Sequence, residues 1–293
     1  MKILFATDGS EYSEGAAKFL TGFKLTKDDE ISILHVMNWV PVMTEWETLY
    51  TDFREIREEI APRVLASAEN ILKKTGARTS TSSIEGYPGK EISEAGSGSD
   101  LVVMGATGLR GIGSMIVGSV TKEVAIKSHK PVLAIKPPQW ETSGKLKVLF
   151  ATDGSPFSDA MTRTLSSIPF PDNTEVTVLH VITSVLSDIP ERFAIEMNDR
   201  IKAIVAKERE KESGESEKNL EKAVKGLSGK FPSIKKRSMF GDPSEEIINA
   251  AETMNADIIA LGSSGMRGIK GMLGSVSRYV LSHCKCSVLI GKT

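Results

Sequence analysis

Glycine and serine are the residues whose spacing best suits chemistry in this sequence. Glycine lets a ligand approach the backbone closely. Where successive amide N–H groups face inward they form a nest for anions, and a helix N-terminus adds partial positive charge. One segment concentrates such residues within fifteen positions and runs into a helix-like pattern: Gly105, Gly108, Gly111, Gly113, Gly118 and Ser119. This segment predicts phosphate binding, and the alternative is a flexible surface loop.

A carboxylate appears twice at the end of an apolar run. KILFATDGS occupies Lys2 to Ser10, and KVLFATDGS returns at Lys147 to Ser155. Each copy is typical of a buried strand that delivers an aspartate, Asp8 or Asp153, into a tight turn. A carboxylate there can accept hydrogen bonds from ligand hydroxyls, whereas the simpler alternative is an N-cap of the next helix.

The whole chain is built on this repetition. ISILHVMN (31–38) is echoed by VTVLHVIT (176–183), and EGYPGKEI (85–92) by FGDPSEEI (240–247). The glycine-rich segment returns as GSSGMRGIKGMLGSV (262–276). Such self-similarity predicts two domains of one fold. We place them at residues 1–138 and 147–293, joined by a linker at 139–146.

Composition narrows the setting. The chain has 293 residues, 40% of them apolar, and a formal net charge of −1 from 37 basic and 38 acidic side chains. This balance gives no bulk attraction to nucleic acid or to a membrane, and we expect neither as a partner. No apolar run approaches the roughly 20 residues of a membrane span, and the first residues indicate a strand rather than an export signal. We therefore expect a cytoplasmic protein.

Each copy alternates strand and helix patterns. The runs KILFAT, ISILHV, RTSTSSI, LVVMG and PVLAIK predict strands, and several are almost wholly apolar, as in sheets covered on both faces. Residues 10–20 predict a helix capped by Asp8 or Ser10, and residues 45–74 a helix that Pro62 kinks or breaks. The second copy adds a charged helical segment around 191–226. We predict an α/β fold of two tandem doubly wound domains, each a five-stranded parallel sheet of order 3-2-1-4-5 with helices on both faces.

That strand order brings the two chemical segments together. Strands 1 and 4 are then neighbours, and ligands in such folds bind beyond the carboxyl ends of the strands where the order reverses. The turn at Asp8 would form one wall of a crevice and the segment that starts at Gly105 the other. The same arrangement would recur in the second copy.

These motifs resemble the universal stress protein family, in its tandem two-domain form with the ATP-binding type of glycine motif. The family pattern Gly-x2-Gly-x9-Gly-Ser/Thr is matched by Gly105, Gly108, Gly118 and Ser119. Further family features are Asp8 after strand 1, His35-Val36 at the end of strand 2, Gly86 and Pro88 of Gly-x-Pro, and Lys130 to Val132 of Lys-Pro-Val. The resemblance covers nearly the whole chain.

The resemblance implies an adenine nucleotide, ATP, ADP or AMP, as the ligand. Asp8 and Gly105 would hold the ribose. The backbone of Val36 would bond the adenine edge, although an apolar strand residue is also simply core. The amides around Gly108 and Gly118 would hold the phosphates. Mg²⁺ fits this arrangement if it binds through the phosphates, because side chains alone supply no metal site.

The implied nucleotide-binding set spans both copies. In the first copy it comprises Ala6, Thr7, Asp8, Val36, Met104, Gly105, Gly108, Gly118, Ser119, Val120 and Thr121. In the second it comprises Ala151, Thr152, Asp153, Val181, Leu261, Gly262, Gly265, Gly274, Ser275, Val276 and Ser277. The second motif is one residue shorter between its last two glycines. Because a deletion inside an anion nest re-aims the amides that follow, we expect adenosine recognition to survive there and leave β- and γ-phosphate binding open.

Other polar residues near these motifs have two interpretations. Arg110 and Arg267 could reach a terminal phosphate, but exposed arginine usually points into solvent. His35 and His180 invite a catalytic role, but they end apolar strands and are better explained as structural. The cysteines of HCKC (283–286) lack the second pair that a four-ligand zinc site needs, so we interpret them as bystanders.

Three functions fit the sequence. The preferred one is a nucleotide-binding stress-response sensor or switch that acts on an unknown protein partner, with slow or no hydrolysis. It is favoured because the sequence lacks the lysine-bearing P-loop and the nucleophile elbow or zinc-ligand helix of common hydrolases. The alternatives are an ATP-hydrolysing enzyme of the adenine-nucleotide α/β superfamily and a nucleotide-free dimeric scaffold.

The resemblance also implies how the two domains meet. In family dimers the fifth strands pair antiparallel, so PVLAIK (131–136) and SVLIGK (287–292) should pair within this chain. The result would be an intramolecular pseudo-dimer in which both strand edges are covered. A homodimer of whole chains is compatible with this arrangement.

Overall fold

The two copies form one continuous ten-stranded sheet. The computed structural model describes residues 1–38, 47–108, 117–136, 145–184, 199–266 and 272–293, with the backbone alone for 47–54. Gly111, Gly113, Arg110, Arg267 and most of the predicted linker lie outside the described residues.

Strands and helices alternate in the first half of the chain. Its strands are β1 (Lys2–Thr7), β2 (Glu30–Asn38), β3 (Arg78–Gly86), β4 (Leu101–Gly105) and β5 (Val132–Ile135). Its helices are α1 (Glu11–Leu20), α2 (Glu47–Leu72), α3 (Pro88–Ala95) and α4 (Ser119–Lys127). All five predicted strands of this copy are therefore present.

The second half repeats the pattern. Its strands are β6 (Lys147–Ala151), β7 (Glu175–Ile182), β8 (Ser233–Phe240), β9 (Ile258–Gly262) and β10 (Ser287–Gly291). Its helices are α5 (Pro156–Ser167), α6 (Asp199–Leu227), α7 (Pro243–Met254) and α8 (Ser275–His283). Helix α6 is the charged helix predicted around 191–226, of which 191–198 lies outside the described residues.

The predicted strand order and the predicted join are both confirmed. The sheet order is β3-β2-β1-β4-β5-β10-β9-β6-β7-β8, which contains 3-2-1-4-5 twice. Pairing is parallel within each half, as in β1 with β4, and antiparallel between β5 and β10, where Val132 lies opposite Ile290 and Ala134 opposite Val288. Each half therefore covers the open edge of the other.

Alternate residues of each strand face two helical layers. In β1, Ile3 and Phe5 pack into a core cluster with residues of α1 and α2, and Leu4 and Ala6 into one with residues of α3 and α4. Residues of β4 and β9 are buried throughout. This pattern explains the near-continuous apolar runs of the central strands and confirms helices on both faces.

An aromatic contact also joins the halves. The rings of Phe23, from the first half, and Phe170, from the second, meet edge to face at 5.3 Å, a favoured aromatic geometry. Beside them the Lys24 amide donates to Pro169 O at 2.7 Å. The two domains therefore share a core contact in addition to the strand pairing.

Two helix predictions are refined by the structure. Ser10, not Asp8, is the N-cap of α1, since its extended backbone lets its Oγ accept from the Ser13 amide at 3.2 Å. Helix α2 runs unbroken through Pro62, so of the predicted kink or break the break is wrong. Buried Leu65 and Leu72 hold the helix against the sheet beyond the proline, and this packing overrides the local propensity. Among the described residues, no helix is long and apolar enough to cross a membrane.

Candidate nucleotide site

The carboxyl ends of the central strands bring the predicted segments together in each half. Ala6 of β1 pairs with Met104 of β4, and Ala151 of β6 pairs with Leu261 of β9. The Asp-Gly-Ser turn and the glycine-rich segment therefore leave the sheet side by side, where the strand order reverses.

In the second half these segments surround a cavity of about 380 Å³. That volume lies in the range of small-molecule sites. All eleven residues predicted in the second copy line it: Ala151, Thr152, Asp153, Val181, Leu261, Gly262, Gly265, Gly274, Ser275, Val276 and Ser277. The structure thus gathers the whole predicted set around one space, and its role in binding stays a prediction.

Five other lining residues were not predicted. They are Ser158, Leu179, Pro243, Ile247 and Ser264. Pro243 belongs to the Gly-x-Pro motif and Ser264 lies between the first two glycines, so the motifs themselves indicate that both residues lie near the site. Leu179 and Ile247 are buried apolar residues, and in sequence such residues cannot be told from core.

The aspartates lie against the glycine segments in both halves. A Cβ on Gly108 would come within 2.4 Å of Asp8 Oδ2, and one on Gly265 within 2.9 Å of Asp153 Oδ2. With the carboxylates in these positions, neither site has room for a Cβ. In the second half Asp153 Oδ2 also accepts a hydrogen bond from the Met266 amide at 3.0 Å, which ties the two walls together.

The other carboxylate oxygen shapes the turn. Asp8 Oδ1 accepts from the Ser10 amide at 3.1 Å and from the Ser10 hydroxyl at 2.6 Å. Asp153 Oδ1 accepts from the Ser155 amide at 3.1 Å. Ser155 in turn caps α5 through the Ser158 amide. Each aspartate therefore stabilises the turn through one oxygen and holds the other towards the glycine segment.

The glycine segments end at helix N-termini of matching geometry. The N-cap of α4 is Gly118, with φ −63° and ψ 154°, and that of α8 is Gly274, with φ −63° and ψ 162°. Within the described parts of the chain, no side chain caps either helix. The next residues, Ser119 and Ser275, are exposed. First-turn amides without a side-chain cap, at the positive end of a helix, suit an anion.

The shorter second motif does not change this geometry. The Gly118 amide donates to Ala106 O at 2.8 Å, and the Gly274 amide donates to Ser263 O at the same distance. Helix α8 therefore starts with the geometry of α4, and at this helix start the shorter spacing does not re-aim the amides, contrary to the expectation from spacing.

Thr121 and Ser277 have a structural hydrogen bond. The Thr121 hydroxyl donates to Gly105 O at 3.1 Å, and the Ser277 hydroxyl to Gly262 O at 2.7 Å. Both side chains are buried. These bonds fix the start of each helix to the end of the neighbouring strand.

Gly105 and Gly262 are explained by packing. A Cβ on Gly105 would lie 3.0 Å from Tyr12 O of α1, and one on Gly262 would lie 2.9 Å from the Phe157 carbonyl carbon of α5. A helix backbone passes over each glycine too closely for a side chain. The ribose role implied for these glycines is therefore additional to a structural one.

The second strand of each half ends in a histidine and a valine. Val36 and Val181 are partly buried and pack at the border of the core. His35 Nδ1 lies 2.9 Å from Thr7 O. His180 has hydrogen-bonded neighbours on both ring nitrogens, Ser216 Oγ at 2.9 Å and Asn219 Nδ2 at 3.3 Å. Burial lowers the pKa of His180, and the Asp153 charge partly opposes this.

The two cysteines are buried thiols away from the crevices. Cys284 Sγ lies 3.2 Å from Cys286 O and 3.6 Å from Lys136 Nζ. Hydrogen bonding from Cys286 and the Lys136 charge lower the pKa of Cys284. Among the described residues, no group of three or more histidine, cysteine or acidic side chains could hold a metal.

Comparison with known proteins decides the family. The model of the universal stress protein family matches residues 1–136 and again 146–292. The chain belongs to the universal stress protein family. It is 31% identical over 147 residues to a universal stress protein of Methanocaldococcus jannaschii, covering 48% of this chain and 84% of that protein. It is 24% identical over 299 residues to a universal stress protein of Mycolicibacterium smegmatis, covering 98% and 96% of the two chains.

A solved structure shows the same tandem fold. The crystal structure of a universal stress protein from Archaeoglobus fulgidus matches with a TM-score of 0.65 at 22% identity. The match covers 99% of this chain and 96% of that one. The tandem universal stress protein architecture therefore extends over the full chain.

Proposed function

We propose that this universal stress protein binds an adenine nucleotide in each crevice and acts as a stress-response sensor or switch. One observation carries the proposal: in both halves a helix N-terminus without a side-chain cap begins at a glycine, Gly118 or Gly274, and the turn aspartate lies against an earlier glycine of the same segment, Gly108 or Gly265. This arrangement supports the proposal because amides at a helix N-terminus can bind an anion, and a carboxylate can accept hydrogen bonds from ligand hydroxyls.

The second cavity offers a place for each part of a nucleotide. Leu179, Val181 and Ile247 supply apolar surface for a base. Asp153 supplies an acceptor for ribose hydroxyls. The amides that follow Gly274 supply donors for phosphates, and Mg²⁺ would be held through those phosphates. ATP, ADP and AMP share the adenosine and differ only in how far they extend along this helix terminus.

Slow or absent hydrolysis belongs to the proposal. Asp153 is the one charged residue among the described residues that line the cavity. Efficient phosphoryl transfer relies on positioned cations and on a residue that orients the nucleophile. A carboxylate held by the turn and by the Met266 amide is poorly placed to supply either.

Identifying the small molecule that leaves the purified protein on denaturation tests the proposal most directly. Mass spectrometry should find an adenine nucleotide, and calorimetric titration of the stripped protein should show two sites per chain. A ligand specific to the folded state must also raise the melting temperature. If no adenine nucleotide binds or shifts the melting temperature, the scaffold alternative is correct. Turnover of labelled ATP within minutes would favour the enzyme.

A further inference from the structure

Lys292, the residue that follows β10, reaches into the other domain. Lys292 Nζ donates to Ala125 O at 2.6 Å and to Ile126 O at 3.4 Å, both in the last turn of α4. Carbonyls of a last helical turn have no partner within the helix, so the lysine satisfies two of them. The lysine also lies at the negative end of the helix, which favours a cation, whereas its burial opposes the charge and lowers the pKa of Lys292.

The reciprocal contact is made by Lys136, which follows β5. Its Nζ donates to Leu281 O at 2.9 Å and to Cys284 O at 2.6 Å, at the C-terminus of α8. Lys136 is only 1% exposed, and its Nζ is hydrogen-bonded to main-chain oxygens. Each domain thus caps one helix of the other through the lysine that follows its fifth strand.

The two capped helices are the ones that begin at the candidate phosphate sites. Helix α4 starts after Gly118, and helix α8 after Gly274. Each contains nine residues, so the lysine lies roughly 13 Å from the anion-binding end at 1.5 Å per residue. A short, rigid helix held at its far end has its near end fixed as well.

We propose that Lys292 and Lys136 are positioning residues that act across the domain boundary: Lys292 of the second domain aligns the phosphate-binding helix of the first, and Lys136 of the first aligns that of the second. The inference rests on the proposed nucleotide binding and adds a dependence of each site on the opposite domain. It implies that the paired tandem arrangement, and not each domain separately, sets nucleotide affinity.

Crossed substitutions test this dependence. Parent variants Gly274→Val and Gly118→Val each leave one site open, and calorimetry measures ATP affinity at that site. In the Gly274→Val parent, Lys292→Met should weaken the first site by about fivefold or more, in the range of couplings between protein sites. Lys136→Met should leave it unchanged. In the Gly118→Val parent, Lys136→Met should weaken the second site and Lys292→Met should leave it unchanged.

Two further variants separate positioning from general loss of stability. Lys292→Arg keeps the charge and the N–H donors and should restore most of the affinity at the first site. Lys127→Met changes an exposed lysine of the same helix, paired with Glu123, and should have no effect. Equal effects of Lys292→Met on both sites, or an effect on its own domain alone, would overturn the proposal.

Hydrogen exchange of the ligand-free protein distinguishes failure of this inference from failure of the proposed function. Lys292→Met should speed exchange in α4 and leave α8 unchanged. If the parent variants bind no nucleotide but this exchange pattern appears, the proposed function fails, while the positioning of α4 by Lys292 is supported. If hydrogen exchange in α4 is unchanged, the positioning role of Lys292 is refuted whatever the binding data show.

Discussion

Replacing Gly118 with alanine separates what the ligand needs from what the fold needs. A Cβ at this position would lie 3.6 Å from Ala106 O, its nearest described neighbour, an ordinary contact. The backbone angles of Gly118, φ −63° and ψ 154°, suit any residue. The described residues therefore give no reason for glycine here, whereas a phosphate bound by the following amides, as proposed, would meet the new methyl group.

The expected stability change is small. Alanine is a poorer N-cap than glycine by roughly 0.5–1 kcal/mol, and lower freedom of the unfolded chain returns about 0.4–1 kcal/mol. The melting temperature should therefore move by less than about 4 °C. The effect on binding should be larger. Losing one hydrogen bond to a charged phosphate costs about 1.5–3 kcal/mol, and each 1.4 kcal/mol is about tenfold in affinity.

Calorimetry with ATP should then show one site per chain at the original affinity and a second weakened about tenfold or more. Gly105→Ala is the matched control. Its Cβ would lie 3.0 Å from Tyr12 O, so this substitution should lower the free energy of unfolding by about 1–3 kcal/mol through overpacking. Unchanged ATP binding in a folded Gly118→Ala protein would show that the α4 N-terminus does not meet the phosphates.

Three further predictions follow from named contacts. Ser10→Ala removes the α1 cap and should lower the free energy of unfolding by about 1 kcal/mol in urea. Asp153→Asn keeps an acceptor for the Ser155 amide but loses the one for the Met266 amide, so it should weaken the second site about tenfold and lower the free energy of unfolding by about 1 kcal/mol, as measured by calorimetry and a thermal scan. Burial lowers the pKa of Lys292 from 10.5 to about 8. The unfolded state therefore binds more protons above pH 8, and stability should rise from pH 8 to 10 while first-site affinity falls. Both trends should vanish in Lys292→Met.

The fold was predictable because its signals are repeated and mutually consistent. Apolar runs such as those of β4 and β9 have few alternatives to buried parallel strands, and the duplicated order fixed the neighbours of each. Local choices were harder. Asp8 and Ser10 are both good N-caps, and only the extended backbone of Ser10 settles which one acts. Pro62 lies inside a helix because packing beyond it outweighs the lost hydrogen bond.

The sequence was sufficient to predict which residues lie at the candidate site, but not why each residue type occurs there. Gly105 and Gly118 belong to one motif, yet the α1 backbone explains the first, whereas the described neighbours of the second leave room for a side chain. Spacing alone predicted that the shorter second motif re-aims its amides. At the start of α8 this is wrong, because the Gly274 amide donates to the carbonyl of Ser263, just after β9, as the Gly118 amide donates to that of Ala106. Lysines that cap distant helices leave no local sequence signal at all.

Comparison of the two halves shows which features of the site are independent of its surroundings. The turn aspartate, the glycine N-cap and the hydroxyl bond to the strand-end glycine recur with nearly equal geometry. The support behind the turn differs: Val64 packs against Gly9, whereas Asn219 lies against Gly154 and also contacts His180. Because the turn aspartate and the glycine N-cap, the proposed ligand contacts, are common to both halves, both halves should accept the same nucleotide. The different supports should set how rigidly each turn is held, and therefore how tightly each site binds.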